Sequence, residues 1–192
     1  MAKLFLVRHG KSQWNHLGLW TGWTDVSLNE EGVGEAKKAG DLLRDEKIDL
    51  AFVSKLKRAK ETLDEIRDRM LHKDFNITES EALNERNYGI FTGKNKWEIK
   101  KEVGEEEFRK MRRSWDHKIP EGETLKDVYE RVVPFYSQSI LPRLKEGKNI
   151  LVSAHGNSLR ALVKFIDKIP DDKIGDLEIG TGEIFCYDID KE

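Results

Sequence analysis

"LFLVRHGKSQWN", residues 4–15, is apolar for four residues and then turns, with no polar lead-in, to arginine, histidine and glycine. A short apolar run without alternation suits a strand buried on both faces, as in a parallel sheet. Residues 3–7, 49–53, 149–154 and 183–189 share this character: rich in Leu, Val, Ile and Phe and bounded by polar residues or glycine. Helical patterns lie between them. After Asn29, an N-cap residue, Val33, Ala36, Ala39 and Leu43 recur at helical spacing, with Glu30 and Glu31 in the first turn, where the helix dipole favours them. Ser54 is placed to cap a second helix with the stripe Leu56, Ala59, Leu63, Ile66 and Met70, and a third starts near Asn157 and buries Leu159, Leu162, Val163 and Ile166.

Strands alternating with helices predict an α/β fold in three layers, a mostly parallel central sheet flanked by helices. With 192 residues and neither repeat nor linker, one domain over 1–192 is expected. Residues 84–118 read differently, glycine-punctuated and then densely charged. They predict an irregular loop followed by one or two short helices over the sheet edge, a lid-like segment around 84–123. Pro134, inside the helical stretch 124–145, predicts a kink or break.

The charge totals, 34 basic against 36 acidic side chains for a net −2, argue against a general nucleic-acid or membrane-surface binder. No apolar segment reaches the length needed to span a bilayer. The one cysteine, Cys186, rules out an internal disulfide and a thiolate-rich metal centre; it reads as a small core residue in an apolar strand, and its chain as a cytoplasmic protein. There is no phosphate-binding P-loop and no His-Glu-x-x-His pair, and Gly32-x-Gly34 opens a helix without a preceding strand, so ATP, NAD and zinc have no sequence support.

In open α/β sheets ligands gather beyond the carboxyl ends of the strands, which is where Arg8-His9-Gly10 falls. His155-Gly156-Asn157 repeats the arrangement after "NILVSA", and Ser54-Lys55-Leu56-Lys57-Arg58 brings a cation into the first turn of a helix beyond a third strand. A neutral imidazole is a nucleophile toward phosphorus, and neighbouring cations spread the charge of a transferring phosphoryl group. Glycine after each histidine would let backbone amides approach that group. Singly, each residue has a structural reading: a strand-end histidine satisfied by hydrogen bonds, Arg58 a solvated helix residue.

"LFLVRHGKSQWN", "TGWTDVSLNEEG", "SKLKRAKETL", "LNERNYGIFTGKNK", "RRSWD" and "SAHGNSLRALVKFID" together resemble the histidine phosphatase superfamily and, within it, the cofactor-dependent phosphoglycerate mutases, over residues 3 to about 189. The resemblance implies a phosphoglycerate mutase-like fold and interconversion of 3- and 2-phosphoglycerate through a phosphohistidine primed by 2,3-bisphosphoglycerate, without a metal. It implies that His9 is phosphorylated, that Arg8, Arg58 and His155 surround the phosphoryl oxygens, and that Glu85 shuttles the proton. It assigns Ser12, Asn15, Thr21 and Gly22 to the loop holding the substrate's phosphate and carboxylate. It likewise implies that Tyr88, Lys96, Arg112 and Arg113 form the outer phosphate group, with Gly156 and Asn157 also at the site. The implied partners are small phosphoglycerates, with no nucleic acid or membrane.

Three departures from the family pattern stand out. Arg113 leads to Thr124 almost directly, where many members carry a long insertion that supports subunit contacts, so the assembly stays open between a monomer and a small homo-oligomer. Little follows the strand 183–189, where members have a tail that covers the site, and less cover implies more hydrolysis. Lys11 stands where an acidic residue is frequent, adding charge near the pocket mouth.

Overall fold

The computed structural model describes residues 1–190. In chain order the elements are β1 (Ala2–Arg8), α1 (Gln13–His16), α2 (Glu30–Leu42), β2 (Leu50–Ser54), α3 (Lys57–Arg69), β3 (Asn76–Ser80), α4 (Lys96–Val103), α5 (Glu105–Arg113), α6 (Leu125–Phe135), α7 (Leu141–Lys145), β4 (Ile150–Ala154), α8 (Gly156–Ile166) and β5 (Ile184–Ile189). The strands form one sheet in the order β3-β2-β4-β1-β5. β4 lies parallel to both β1 and β2, with Arg8 opposite Ala154 and Val53 opposite Ser153, so the carboxyl ends of the three central strands are level.

The unbroken apolar run of β1 follows from two covered faces. Leu4 and Leu6 join Phe52, Ile150 and Val152 beneath Val128 and Val132 of α6 and Leu159 and Leu162 of α8. Phe5 and Val7 turn the other way, with Ala51, Val53 and Leu151, against Ala39 of α2 and Ala59, Leu63 and Ile66 of α3. Each fully buried Leu, Ile or Val contributes about 1.5–3 kcal/mol, so the two faces together anchor the strand ends on which the site is built.

The structure refines the sequence reading in some places and corrects it in others. β3, Asn-Ile-Thr-Glu-Ser, pairs parallel with β2 at the sheet edge and carries mostly exposed side chains, so it lacks the apolar signature of the inner strands. β5 runs antiparallel to β1. Cys186, on β5, is exposed rather than part of the core, because the outer face of this edge strand is uncovered. Ser54 accepts the Leu56 N–H but is not the helix cap; Leu56 holds that position without a side-chain bond. Pro134 does not end its helix: α6 continues into a π-helical turn at Tyr136–Ile140 before α7. Proline removes one ladder donor and crowds the carbonyl four residues back, and the wider turn directly after it takes up the irregularity.

Candidate active site

The β1–β4 ladder extends one residue past the strand, the His9 N–H donating to the Ala154 carbonyl at 2.9 Å, and so sets the first histidine beside the second. The His9 and His155 ring centroids are 4.9 Å apart, and both residues are buried. Nδ1 of His9 lies 2.6 Å from the Gly10 carbonyl oxygen. A carbonyl only accepts, so Nδ1 carries the proton and Nε2 keeps its lone pair, toward which Arg58 Nε donates at 3.3 Å. Burial, then the charges of Arg58 and Arg8, hold His9 well below the usual imidazole range, which makes it a neutral ring at neutral pH. His155 is depressed for the same reasons, burial first and then the charge of Arg58. Its Nε2 lies 2.8 Å from Ser54 Oγ. That hydroxyl spends its proton on Asn84 Oδ1, which also takes the Lys55 N–H, so His155 donates from Nε2.

Arg58, in the first turn of α3, is buried and fixed by two carbonyls: Nη2 donates to Gly22 at 2.8 Å and Nη1 to Thr24 at 3.0 Å. Burial lowers its pKa to about 10, and it stays charged at neutral pH. Gly22 presents its carbonyl from a left-handed turn, φ +51°, where a Cβ would be strained. Arg8, last residue of β1, donates from Nη1 to the Ile179 carbonyl at 2.5 Å. Its Nε, like Thr21 Oγ1, is buried without a hydrogen-bond partner among the described residues.

Glu85 is held by main-chain donors. Its Oε1 accepts from Arg86 N at 2.8 Å and from Asn157 N, in the first turn of α8, at 3.1 Å. Oε2 borders Gly156, where a Cβ would stand 3.8 Å from it. Beyond lies a second set of donors. Asn157 Nδ2 donates to the Tyr88 hydroxyl at 2.8 Å, and burial pushes that phenol's pKa up. Arg160 Nη1 donates to Asn157 Oδ1 at 3.1 Å, one helical turn along α8. Lys96 opens α4, and burial, with Arg112 and Arg8 nearby, lowers its pKa to about 8. Arg112 and Arg113 close α5; Arg113 donates to the Leu177 carbonyl at 3.2 Å and forms an ion pair with Glu178.

These groups surround one cavity of about 340 Å³. Of the residues expected from sequence, Arg8, His9, Asn15, Thr21, Gly22, Arg58, Glu85, Tyr88, Lys96, Arg112, Arg113, Gly156 and Asn157 line it. His155 lies behind His9 and does not. Ser12 is fully buried, and its hydroxyl caps α1 by accepting the Asn15 N–H. The Gly10 amide is committed to Thr62 Oγ1 at 3.0 Å, so it offers nothing to an anion; glycine is required there because a Cβ would fall 2.2 Å from the Gly32 carbonyl oxygen. Lys11 is paired with Glu31 at 2.8 Å and adds no charge to the cavity.

Sequence reasoning gave no role to Trp20, Arg160, Glu178, Ile179 or Gly180, which also line the cavity. Arg160 had a usable signal, three residues beyond Asn157 on one helix face. The 178–180 loop had none, since it is brought to the site by the pairing of β5 with β1 and held there by Arg8 and Arg113, contacts between residues far apart in sequence.

The lining carries six cations, Arg8, Arg58, Lys96, Arg112, Arg113 and Arg160, against Glu85 and Glu178. Such a set takes an anion of multiple charge, and Arg8 Nε and Thr21 Oγ1 retain unspent hydrogen-bonding capacity for one. Among the described residues no three His, Cys, Asp or Glu side chains are grouped as metal ligands.

Comparison with known proteins places this geometry in context. The chain is 43% identical over 189 residues to a 2,3-bisphosphoglycerate-dependent phosphoglycerate mutase of Parvibaculum lavamentivorans, covering 97% of this chain and 90% of that protein. It is also 43% identical to a phosphoglycerate mutase of Schizosaccharomyces pombe, with 98% and 90% covered. Among solved structures, YhfR of Bacillus stearothermophilus superposes with a TM-score of 0.85 at 27% identity, covering 99% of this chain and 92% of that one. The α-ribazole phosphatase of Shigella flexneri superposes with a TM-score of 0.82 at 26% identity, with 98% and 91% covered. The model of the histidine phosphatase superfamily (branch 1) matches residues 4–192, and with its paired strand-end histidines and their arginines the chain belongs to that superfamily.

Proposed function

We propose that the protein is a 2,3-bisphosphoglycerate-dependent phosphoglycerate mutase, interconverting 3-phosphoglycerate and 2-phosphoglycerate through a phosphohistidine. The observation that carries this reading is His9: a neutral, buried ring whose proton is tied to Gly10, leaving Nε2 as nucleophile beside Arg58 in a cavity with a second cationic group. The relatives named as mutases, at 43% identity over nearly the whole chain, support the substrate class.

On this reading Nε2 of His9 accepts a phosphoryl group, forming the P–N bond as the P–O bond to the donor oxygen breaks. Glu85 gives its proton to that departing oxygen. In the return transfer Glu85 takes the proton of a glycerate hydroxyl as its oxygen attacks phosphorus and the P–N bond breaks. Arg8 and Arg58 hold the equatorial oxygens through transfer, and the negative charge of the phosphoryl group favours uptake of a solvent proton at the unpartnered Nδ1 of His155, which then joins them. Asn15, Thr21 and Gly22 flank the glycerate, while Tyr88, Lys96, Arg112 and Arg113 grip the phosphate that is not moving; Gly156 and Asn157 set Glu85. Two transfers through His9, one at each hydroxyl, give the isomerisation. Bound 2,3-bisphosphoglycerate supplies the phosphoryl group that charges His9. The segment 84–123 covers the cavity, and one domain suffices for the whole cycle. Among the described residues no helix is long and apolar enough to cross a membrane, and the reading carries a cytoplasmic location with it.

The test is a coupled assay with 3-phosphoglycerate, with and without catalytic 2,3-bisphosphoglycerate. Production of 2-phosphoglycerate that depends on the primer is expected. Free phosphate without 2-phosphoglycerate would replace this reading with that of a phosphatase.

A further inference from the structure

We propose that Arg131, on α6, is a positioning residue for the proton-transfer group Glu85; the inference rests on the role given to Glu85 above. Among the described residues the Glu85 carboxylate takes its hydrogen bonds from main-chain N–H groups, those of Arg86 and Asn157. Its aim therefore depends on where the backbone of residues 82–87 is held, and that segment has no helix or strand of its own beyond a single turn at Glu81–Leu83.

Arg131 supplies the hold. Nη2 donates to the Glu85 carbonyl at 2.9 Å and Nη1 to the Ala82 carbonyl at 2.7 Å. The same guanidinium meets Glu123 fork to fork, Nε to Oε1 at 2.8 Å and Nη2 to Oε2 at 3.0 Å. Glu123 Oε2 in turn accepts the Asn87 N–H at 2.8 Å. One ion pair, with both side chains about one-fifth exposed, thus ties the chain on both sides of Glu85 to the rigid α6. Trp23 completes the clamp: its ring lies under the guanidinium at 5.9 Å, and its Nε1 donates to the same Glu85 carbonyl at 2.5 Å.

Only a planar fork can serve two carbonyls and a carboxylate in one plane, so lysine is not an equivalent here. Arg131 lies outside the cavity lining, so it can act on the reaction only through Glu85. Its loss would let the carboxylate drift, and a displacement of about 1 Å at a catalytic group costs on the order of 100-fold in rate.

The test compares two phosphate donors. Transfer from phosphoglycerate must protonate an alkoxide, whereas p-nitrophenyl phosphate releases a phenolate that departs without a proton. For Arg131→Lys and Arg131→Met we expect kcat on 3-phosphoglycerate to fall roughly 10- to 100-fold with little change in KM. The pre-steady-state burst of p-nitrophenolate, which reads only the phosphorylation of His9, should stay within about threefold of the parent, because that half-reaction needs His9 but no acid, whereas the later attack of water calls on Glu85 as base. Glu85→Gln should show the same split and serves as the reference. Arg131→Lys keeps the charge and bulk over Trp23, so it is the variant to read if Arg131→Met does not fold. Equal losses on both donors in folded protein, or no loss on either, would overturn the proposal. A split in Glu85→Gln but not in the Arg131 variants would overturn it alone; absence of a split in Glu85→Gln would remove the role of Glu85, and the proposal with it.

Discussion

The rings of His9 and His155, centroids 4.9 Å apart and tilted by 59°, are both buried beside Arg58, whose guanidinium stays charged. Neither ring is at ease as a cation there, and each has its pKa well below that of an unfolded histidine. Below about pH 6.5 the unfolded chain takes up protons that the folded one refuses, so stability falls as the medium is acidified through that range. The slope is at most about 1.4 kcal/mol per pH unit for each ring. Urea midpoints between pH 7.5 and 5.5 should show this fall, and a His155→Asn protein should show a shallower one.

Lys96 gives the alkaline limb. Its cation, lowered to about 8 by burial and by Arg112 and Arg8, is lost as pH passes that value in the free enzyme. KM for 3-phosphoglycerate should therefore rise above pH 8 with kcat less affected. Lys96→Arg keeps its charge across this range, and its KM profile should be flat there.

Glu178 is paired with Arg113, so on the proposed reading it competes with the phosphate that Arg113 would grip. The ion pair is largely open to water on the Glu178 side, so it is worth up to about 1 kcal/mol. Glu178→Gln should lower KM for phosphoglycerate about two- to fivefold, less at high salt. The gain should vanish in an Arg113→Ala background; a gain that survives there would refute the competition.

Gly10 is where α2 crosses the end of β1. An alanine Cβ would sit 2.2 Å from the Gly32 carbonyl oxygen, a main-chain atom that moves only with its helix. Gly10→Ala should cost about 2–3 kcal/mol by urea denaturation and displace His9, whose Nδ1 proton is tied to the Gly10 carbonyl. Gly34→Ala, in the same helix with open space around it, should be close to neutral.

What could be read beforehand divides along physical lines. The inner strands announced themselves because burial on both faces requires continuous apolar residues, and the strand-end histidines stood out against that background. β3 and the exposure of Cys186 were hidden because an edge strand obeys weaker constraints than a central one. Tyr88, Lys96 and Arg112 were reached through whole motifs, since a lone cation in a charged helix carries no sign of the direction it faces. Ser12 shows the opposite failure: it sits in the recognised stretch, yet its hydroxyl is spent on capping α1. Arg131 and Glu123 had no motif at all; their importance lies in carbonyls that only the folded chain brings within reach.

The order of strands also has a temporal meaning. β1 and β2 are not neighbours; β4 lies between them and bonds to each. During synthesis the reactive imidazole emerges from the ribosome first and waits for a late strand to slot into the gap, bringing His155 and the start of α8 with it. Until then His9 has neither the Ala154 carbonyl that receives its N–H nor the second ring beside it, so the paired-histidine arrangement is one of the last features the folding chain can complete.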